Sequence, residues 1–159
     1  MERLVAYIGP WLADIWEPML RLALVTVSAG LIGWEREVKG QSAGMRTHAM
    51  VALGATLFTL VSIHMSGETS NADALRVVTG VAQGIGFLGA GMIFREKQNV
   101  KGLTTAATIW VMGALGIAWG IGCYSLAILA TAITYLILQP LKKIERTHLK
   151  RRMDAESDR

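Results

Sequence analysis

The chain has 159 residues, 52% of them hydrophobic and 18% charged, with a mean hydropathy of +0.40. Soluble domains carry about 25% charge, so the composition argues against an ordinary soluble domain and makes a soluble enzyme a poor reading. Much of the net charge of +4 sits in the C-terminal tail, which membrane topology explains better than nucleic acid does. The single cysteine, Cys123, excludes an internal disulfide and a thiolate metal site.

Residues 1–17 lack the charged-then-apolar pattern and small-residue cleavage site of a signal peptide. Trp11 and Trp16 suit interfacial anchors, and residues 4–16 read as a helix lying along the membrane surface. The first predicted span covers 18–34, with Pro18 at a first helical position, where its missing N–H costs nothing. It is the weakest span, because Arg21 leaves only thirteen apolar or small residues before Glu35. The second span covers 47–64. His48 and His64 stand at its opposite ends, sixteen residues apart, too far to share a metal. Both read as core or interface histidines.

The third span covers 76–94 and is crowded by Gly80, Gly84, Gly86, Gly89 and Gly91, with Gln83 at mid-span. Small residues let membrane helices approach closely. The same glycines also permit a helix break that lines a cavity. The fourth and fifth spans cover 103–119 and 124–141, inside a stretch of 40 residues without a charge. A bilayer core needs about 20 apolar residues per helix, so this stretch is long enough to cross twice. Thr104 and Thr105 suit the cap of the fourth helix; with Thr108 one turn on, their hydroxyls equally suit an ion or a headgroup. The expected fold class is an all-α membrane protein of about five transmembrane helices, with 18–141 as the membrane domain and 142–159 as a basic tail.

Orientation follows from the basic residues. Arg36, Lys39 and Arg46 flank the first short loop; Arg95, Lys97 and Lys101 lie in the third; Lys142, Lys143 and Arg146 follow the last span. All three groups fall on one side, and the positive-inside rule puts that side and the C-terminus in the cytoplasm, with the N-terminus outside. The units 29–54 and 90–116 also match in short stretches at an offset of 61 to 62 residues, such as Val38-Lys39-Gly40 with Val100-Lys101-Gly102. Short glycine-containing matches also arise by chance among membrane helices; a true repeat implies two parallel hairpins plus a fifth helix.

Polar residues in such a chain need partners. Arg21 and Arg76 each open a span near the outer face. Arg76 can snorkel to headgroups, whereas Arg21 calls for a carboxylate or a carbonyl of a neighbouring helix. Glu35-Arg36-Glu37 and Arg46-Thr47-His48 face each other across the first cytoplasmic loop. The carboxylate pair meets the minimum for magnesium, which keeps several waters and uses one or two carboxylates. Glu35 is therefore the one candidate metal ligand.

Four segments carry a resemblance: GLIGWERE at 30–37, AGMRTHAMVALGATLF at 43–58, GIGFLGAGMIF at 84–94 and GLTTAATIW at 102–110. Together they resemble the bacterial MgtC/SapB family of inner-membrane proteins. The resemblance implies an inner-membrane protein tied to magnesium limitation, and in pathogens to survival inside macrophages. The founding member is linked to inhibition of the proton-translocating ATP synthase through membrane contact, and other members to acid resistance. The family motifs fall here on Glu35, Arg36, Arg46, Thr47, His48, the glycines from Gly84 to Gly91, Thr104 and Thr105, and imply no catalytic reaction. Many members continue into a soluble C-terminal domain, for which the residues after Lys142 are too few.

Two functions compete. A regulator that binds a membrane complex such as ATP synthase predicts an exposed small-residue face and no continuous polar path. A small oligomeric transporter or channel for magnesium or another ion predicts that Glu35, Arg46, His48 and the third-span glycines converge on one cavity. The expected partners are lipids, a membrane complex and further copies of the chain, without nucleic acid.

Overall fold

Long apolar runs punctuated by glycine and short charged turns dictate helices joined tightly, and the computed structural model shows them. It describes residues 15–66, 71–96 and 99–139. The expectations for the N-terminal surface helix and for the basic tail fall almost wholly outside these residues.

The helices among these residues are α1 (Trp16–Val38), α2 (Met45–Ser66), α3 (Asn71–Gly91), α4 (Leu103–Gly120) and α5 (Tyr124–Leu138). The third element ends at Gly91, not at residue 94. A small hairpin follows, with β1 (Phe94–Glu96) antiparallel to β2 (Asn99–Lys101) and Phe94 opposite Lys101. Among the described residues the fold is therefore helical apart from one exposed two-stranded ribbon. An ion pair between Glu96 and Lys101 bridges its strands.

Two of the described helices, α2 and α4, are long and apolar enough to cross a bilayer by themselves, and the apolar parts of α3 and α5 are shorter. α1 is long enough but carries Glu17, Arg21, Glu35 and Arg36. Large apolar side chains cover the outside, including Val27, Leu57, Phe87, Trp110, Leu129 and Leu136. Water-soluble monomers rarely expose apolar patches on this scale, and a bilayer is the solvent that suits such a surface.

Side-chain contacts fix the directions of the helices. Arg36 meets Thr105 and Arg21 meets Gly120, so α1 and α4 are antiparallel. His48 meets Thr108 and Thr56 meets Gly116, so α2 and α4 are parallel. Arg21 also reaches Tyr124, and Lys39 reaches Leu138, so α1 and α5 are parallel. Ile85 lies by Gly113 and Gly89 by Ala106, so α3 opposes α4. The 39–44 turn, the hairpin and the end of α5 thus share one end of the bundle, with Arg36, Lys39, Arg95 and Lys101.

α4 is the central helix and touches the other four. Val25, Ala29 and Ile32 of α1 pack with Ala52 of α2 and with Met112, Leu115 and Trp119 of α4. A second cluster joins Ala55, Val81, Ile85 and Ile109. Helices approach this closely because of glycine. A Cβ at Gly33 would lie 2.5 Å from the Met45 Cα, and one at Gly120 would lie 2.6 Å from the Thr59 Cβ.

Gly102 turns the hairpin into α4 at φ +87°, where a Cβ would stand 1.9 Å from the Met92 carbonyl oxygen. Left-handed backbone costs other residues about 1–2 kcal/mol, and the collision adds to it. Gly102→Ala is expected to destabilise the protein by about 2–4 kcal/mol. Thermal unfolding in detergent checks this, and an unchanged Tm would contradict it.

Candidate functional site at the shared loop end

The polar side chains of α1 turn inward at its last turn. Glu35 forms an ion pair with Lys39, one helical turn on, and its side chain is only 2% exposed. Lys39 Nζ also donates to the Leu138 carbonyl at 2.9 Å, tying the end of α1 to the end of α5. A cation at a helix C-terminus meets the negative end of its dipole, so Lys39 has two reasons to sit there.

Arg36 is buried beside Glu35. Its Nη2 donates to Gln41 Oε1 at 3.0 Å and to Thr105 Oγ1 at 3.3 Å, which joins α1 to the start of α4. Two buried atoms in the cluster, Glu35 Oε2 and Arg36 Nε, have no hydrogen-bond partner.

His48, fully buried, extends the network into α2. Its Nδ1 lies 2.9 Å from the Gly44 carbonyl and its Nε2 lies 3.1 Å from Thr108 Oγ1. A carbonyl only accepts, so Nδ1 carries a proton. The Thr108 hydroxyl also lies 2.8 Å from the Thr105 carbonyl, but it has one proton to give. Either it donates to a bare Nε2, or it turns to Thr105 and accepts from a protonated Nε2. The His48–Thr108 pair therefore has two proton arrangements without any change of backbone.

The sequence-predicted cluster thus divides. Glu35, Arg36 and His48 come together with Thr105 and Thr108. Arg46 is exposed and Thr47 half-buried on the outer side of α2. Thr104 is exposed, and neither it nor Thr105 caps α4, whose N-cap is Gly102 with no side-chain cap bond. Glu37 faces away from Glu35 and accepts from the Met45 N–H at 3.0 Å, so it caps α2.

This split decides the magnesium question. The two carboxylates do not converge, and Glu35 is flanked by Lys39 and Arg36, whose charges repel a divalent cation. Among the described residues there is no group of three His, Cys, Asp or Glu side chains that could hold a metal. The cluster does not fit a resident magnesium ion.

Arg21 meets a carbonyl of a neighbouring helix, that of Gly120 at the end of α4, while its carboxylate partner in an ion pair, Glu17, lies on its own helix. It also reaches the Tyr124 hydroxyl at 3.4 Å. Arg76 and Gln83 are exposed on α3. Of the α3 glycines, Gly80 and Gly84 line an apolar groove of about 650 Å³ between α2 and α3, with Met50, Gly54, Phe58 and Leu88. Gly89 alone nears another helix, at Ala106, while Gly86 and Gly91 face open space. Tight packing is made elsewhere, by Gly33, Gly116 and Gly120.

Lys39, Gln41 and Glu17 were not singled out from sequence as members of these networks. The i,i+4 spacings Glu17/Arg21 and Glu35/Lys39 were the available signal.

A helical bundle with an apolar exterior and a largely buried polar cluster at one end defines a class of membrane-type protein. The family model for the MgtC family matches residues 22–147, and the chain belongs to that family. It is 41% identical over 128 residues to the "Putative magnesium transporter YhiD" of Escherichia coli (strain K12), covering 77% of this chain and 60% of the relative. It is 42% identical over 149 residues to Protein SrpB of Synechococcus elongatus, covering 87% of this chain and 80% of the relative. It is 40% identical over 145 residues to Protein MgtC of Brucella abortus, again covering 87% of this chain but 60% of the relative. The chain therefore spans 60% of the length of YhiD and of the Brucella protein. No solved structure matches.

Proposed function

We propose that this chain is an inner-membrane regulator in magnesium homeostasis or a related stress, acting by helix contact with a membrane complex, and not an ion conduit. The polar cluster is the observation that carries this reading. Its ion pair and its hydrogen bonds to Thr105 and Thr108 are made within the bundle, and it is separate from the groove lined by Gly80 and Gly84, which is apolar. An ion path needs polar groups along its length, whereas a groove with glycine in its wall suits an apolar helix. In this reading all five helices span the inner membrane, the loop end with Arg36, Lys39, Arg95 and Lys101 is cytoplasmic, and the N-terminus is outside. A complex such as ATP synthase is the proposed partner, and no catalytic reaction belongs to the reading.

Transport is the second reading. The name of the YhiD relative favours it, as does the unpartnered Glu35 Oε2. Reconstitution in liposomes separates the two. No magnesium, proton or potassium flux above empty liposomes is expected, and flux abolished by Glu35→Ala would establish transport instead. ATP-driven proton pumping in inverted vesicles is expected to fall when the chain is present; unchanged pumping removes ATP synthase as the partner. Reporter fusions after Gly67 and Arg159 are expected on opposite sides of the membrane.

A further inference from the structure

α3 is held to the rest of the protein by one narrow stripe. Val81, Ile85 and Gly89 are buried against α2 and α4, with Val77 half-buried. On the opposite side Thr79, Gln83, Gly86 and Ala90 are all exposed. Their spacing is four, three and four residues, the alternation that keeps a seam facing a second helix in a left-handed supercoil.

Gln83 stands at the middle of this seam, and its amide has no hydrogen-bond partner among the described residues. A polar side chain at mid-span normally faces protein, because hydrocarbon offers it no hydrogen bond. Here the most polar side of α3 faces away from its own bundle. Thr79, Gly86 and Ala90 flank Gln83 with short side chains or none, so a second backbone can come close. Phe87, 81% exposed, stands one position beyond Gly86 and next to Leu88, which lines the α2–α3 groove.

We propose that this face is the seam of a homodimer, with α3 of one copy against α3 of a second copy. The argument for a second copy is geometric. All copies insert in the same direction, so a two-fold axis along the membrane normal sets the two α3 helices parallel and brings each Gln83 to the depth of the other. An amide is donor and acceptor at once, so one symmetric contact satisfies both copies. A lone polar residue in an otherwise small or apolar seam also fixes register. Arg76, near the start of α3, lies where the helices reach the headgroups and can splay to them.

The inference rests on reading α3 as a membrane span, and the test separates failure of that reading from failure of the dimer. In a Cys123→Ser background, single cysteines are placed at Thr79, Gln83, Gly86 and Ala90, and at Val81 and Ile85 as inward controls. Oxidation in native membranes is expected to give dimers at the four outward positions and none at the controls. Gln83→Leu is expected to weaken self-association in detergent about threefold to tenfold. Cross-linking at the controls as strong as at Gln83, or none at Gln83, overturns the seam. A cross-link from position 83 to a protein of another mass overturns the second copy as its occupant. Labelling of position 83 by a membrane-impermeant maleimide overturns the span itself.

Discussion

Gly116→Ala is expected to lower the stability of the protein by about 2–4 kcal/mol, although it adds a single methyl group. The new Cβ would stand 2.4 Å from the Ala52 carbonyl oxygen and 2.6 Å from the Ala55 Cβ. The first of these is backbone, so no side chain can swing aside. α2 and α4 would have to separate, and the 2.9 Å hydrogen bond from Thr56 Oγ1 to the Gly116 carbonyl would stretch with them. His48 and Thr108 join the same helix pair one end further along, so the polar cluster loosens too. Gly30→Ala is the matched control. Its Cβ meets nothing within 4 Å, and alanine in a helix interior is worth about 0.5–1 kcal/mol over glycine. One substitution is expected to lower Tm in detergent and the other to raise it slightly. Equal effects would mean that α2 and α4 do not meet as described.

The contrast shows what the sequence made legible. Apolar runs and their charged turns located α1, α2, α4 and α5 to within a few residues at most boundaries. α3 runs over Asn71–Gly91 rather than 76–94. It starts five residues early, because Arg76 does not open the helix but lies within it. It stops before Met92, Ile93 and Phe94, which continue its apolar run into a hairpin of two three-residue strands, too short for an alternating pattern. Glycine number drew attention to α3, which has five, yet they spread around the helix and most meet nothing. The glycines that matter in α4, Gly113, Gly116 and Gly120, are spaced three and four apart and fall on one face, which turns Gly116 and Gly120 to α2. Spacing was the better signal, and it was present in the sequence.

The site was legible to the same extent. Glu35, Arg36 and His48 stand out because charged or titratable groups at the ends of apolar helices need partners. The partners across the bundle were not legible. Thr105 lies 69 residues from Arg36, and Thr108 lies 60 from His48. No local period connects them; the antiparallel packing of α1 on α4 brings the first pair together and the parallel packing of α2 on α4 the second. Arg46 and Glu37 look equivalent to their neighbours in sequence. Helical phase alone sends Arg46 outward and leaves Glu37 to cap α2.

Lys39 deserves the second test because it closes the cluster. Lys39→Met keeps most of the aliphatic stem but removes the charge, leaving Glu35 in a buried site without its ion-pair partner. Removing one member of a buried pair costs about 3–5 kcal/mol, whereas replacing both members by apolar groups is often neutral. Arg36 remains beside Glu35, but its hydrogen bonds go to Gln41 and Thr105. Lys39→Met is therefore expected to destabilise by about 3–5 kcal/mol, and Glu35→Leu/Lys39→Met to recover most of the loss. The bond to the Leu138 carbonyl is absent in both variants, so the recovery isolates the ion pair from the tie to α5. Unfolding of the two variants in the same detergent measures it. A double variant no more stable than Lys39→Met would show that the lysine acts through α5, and a single variant with unchanged stability would show that Glu35 is not shielded from water as the bundle places it.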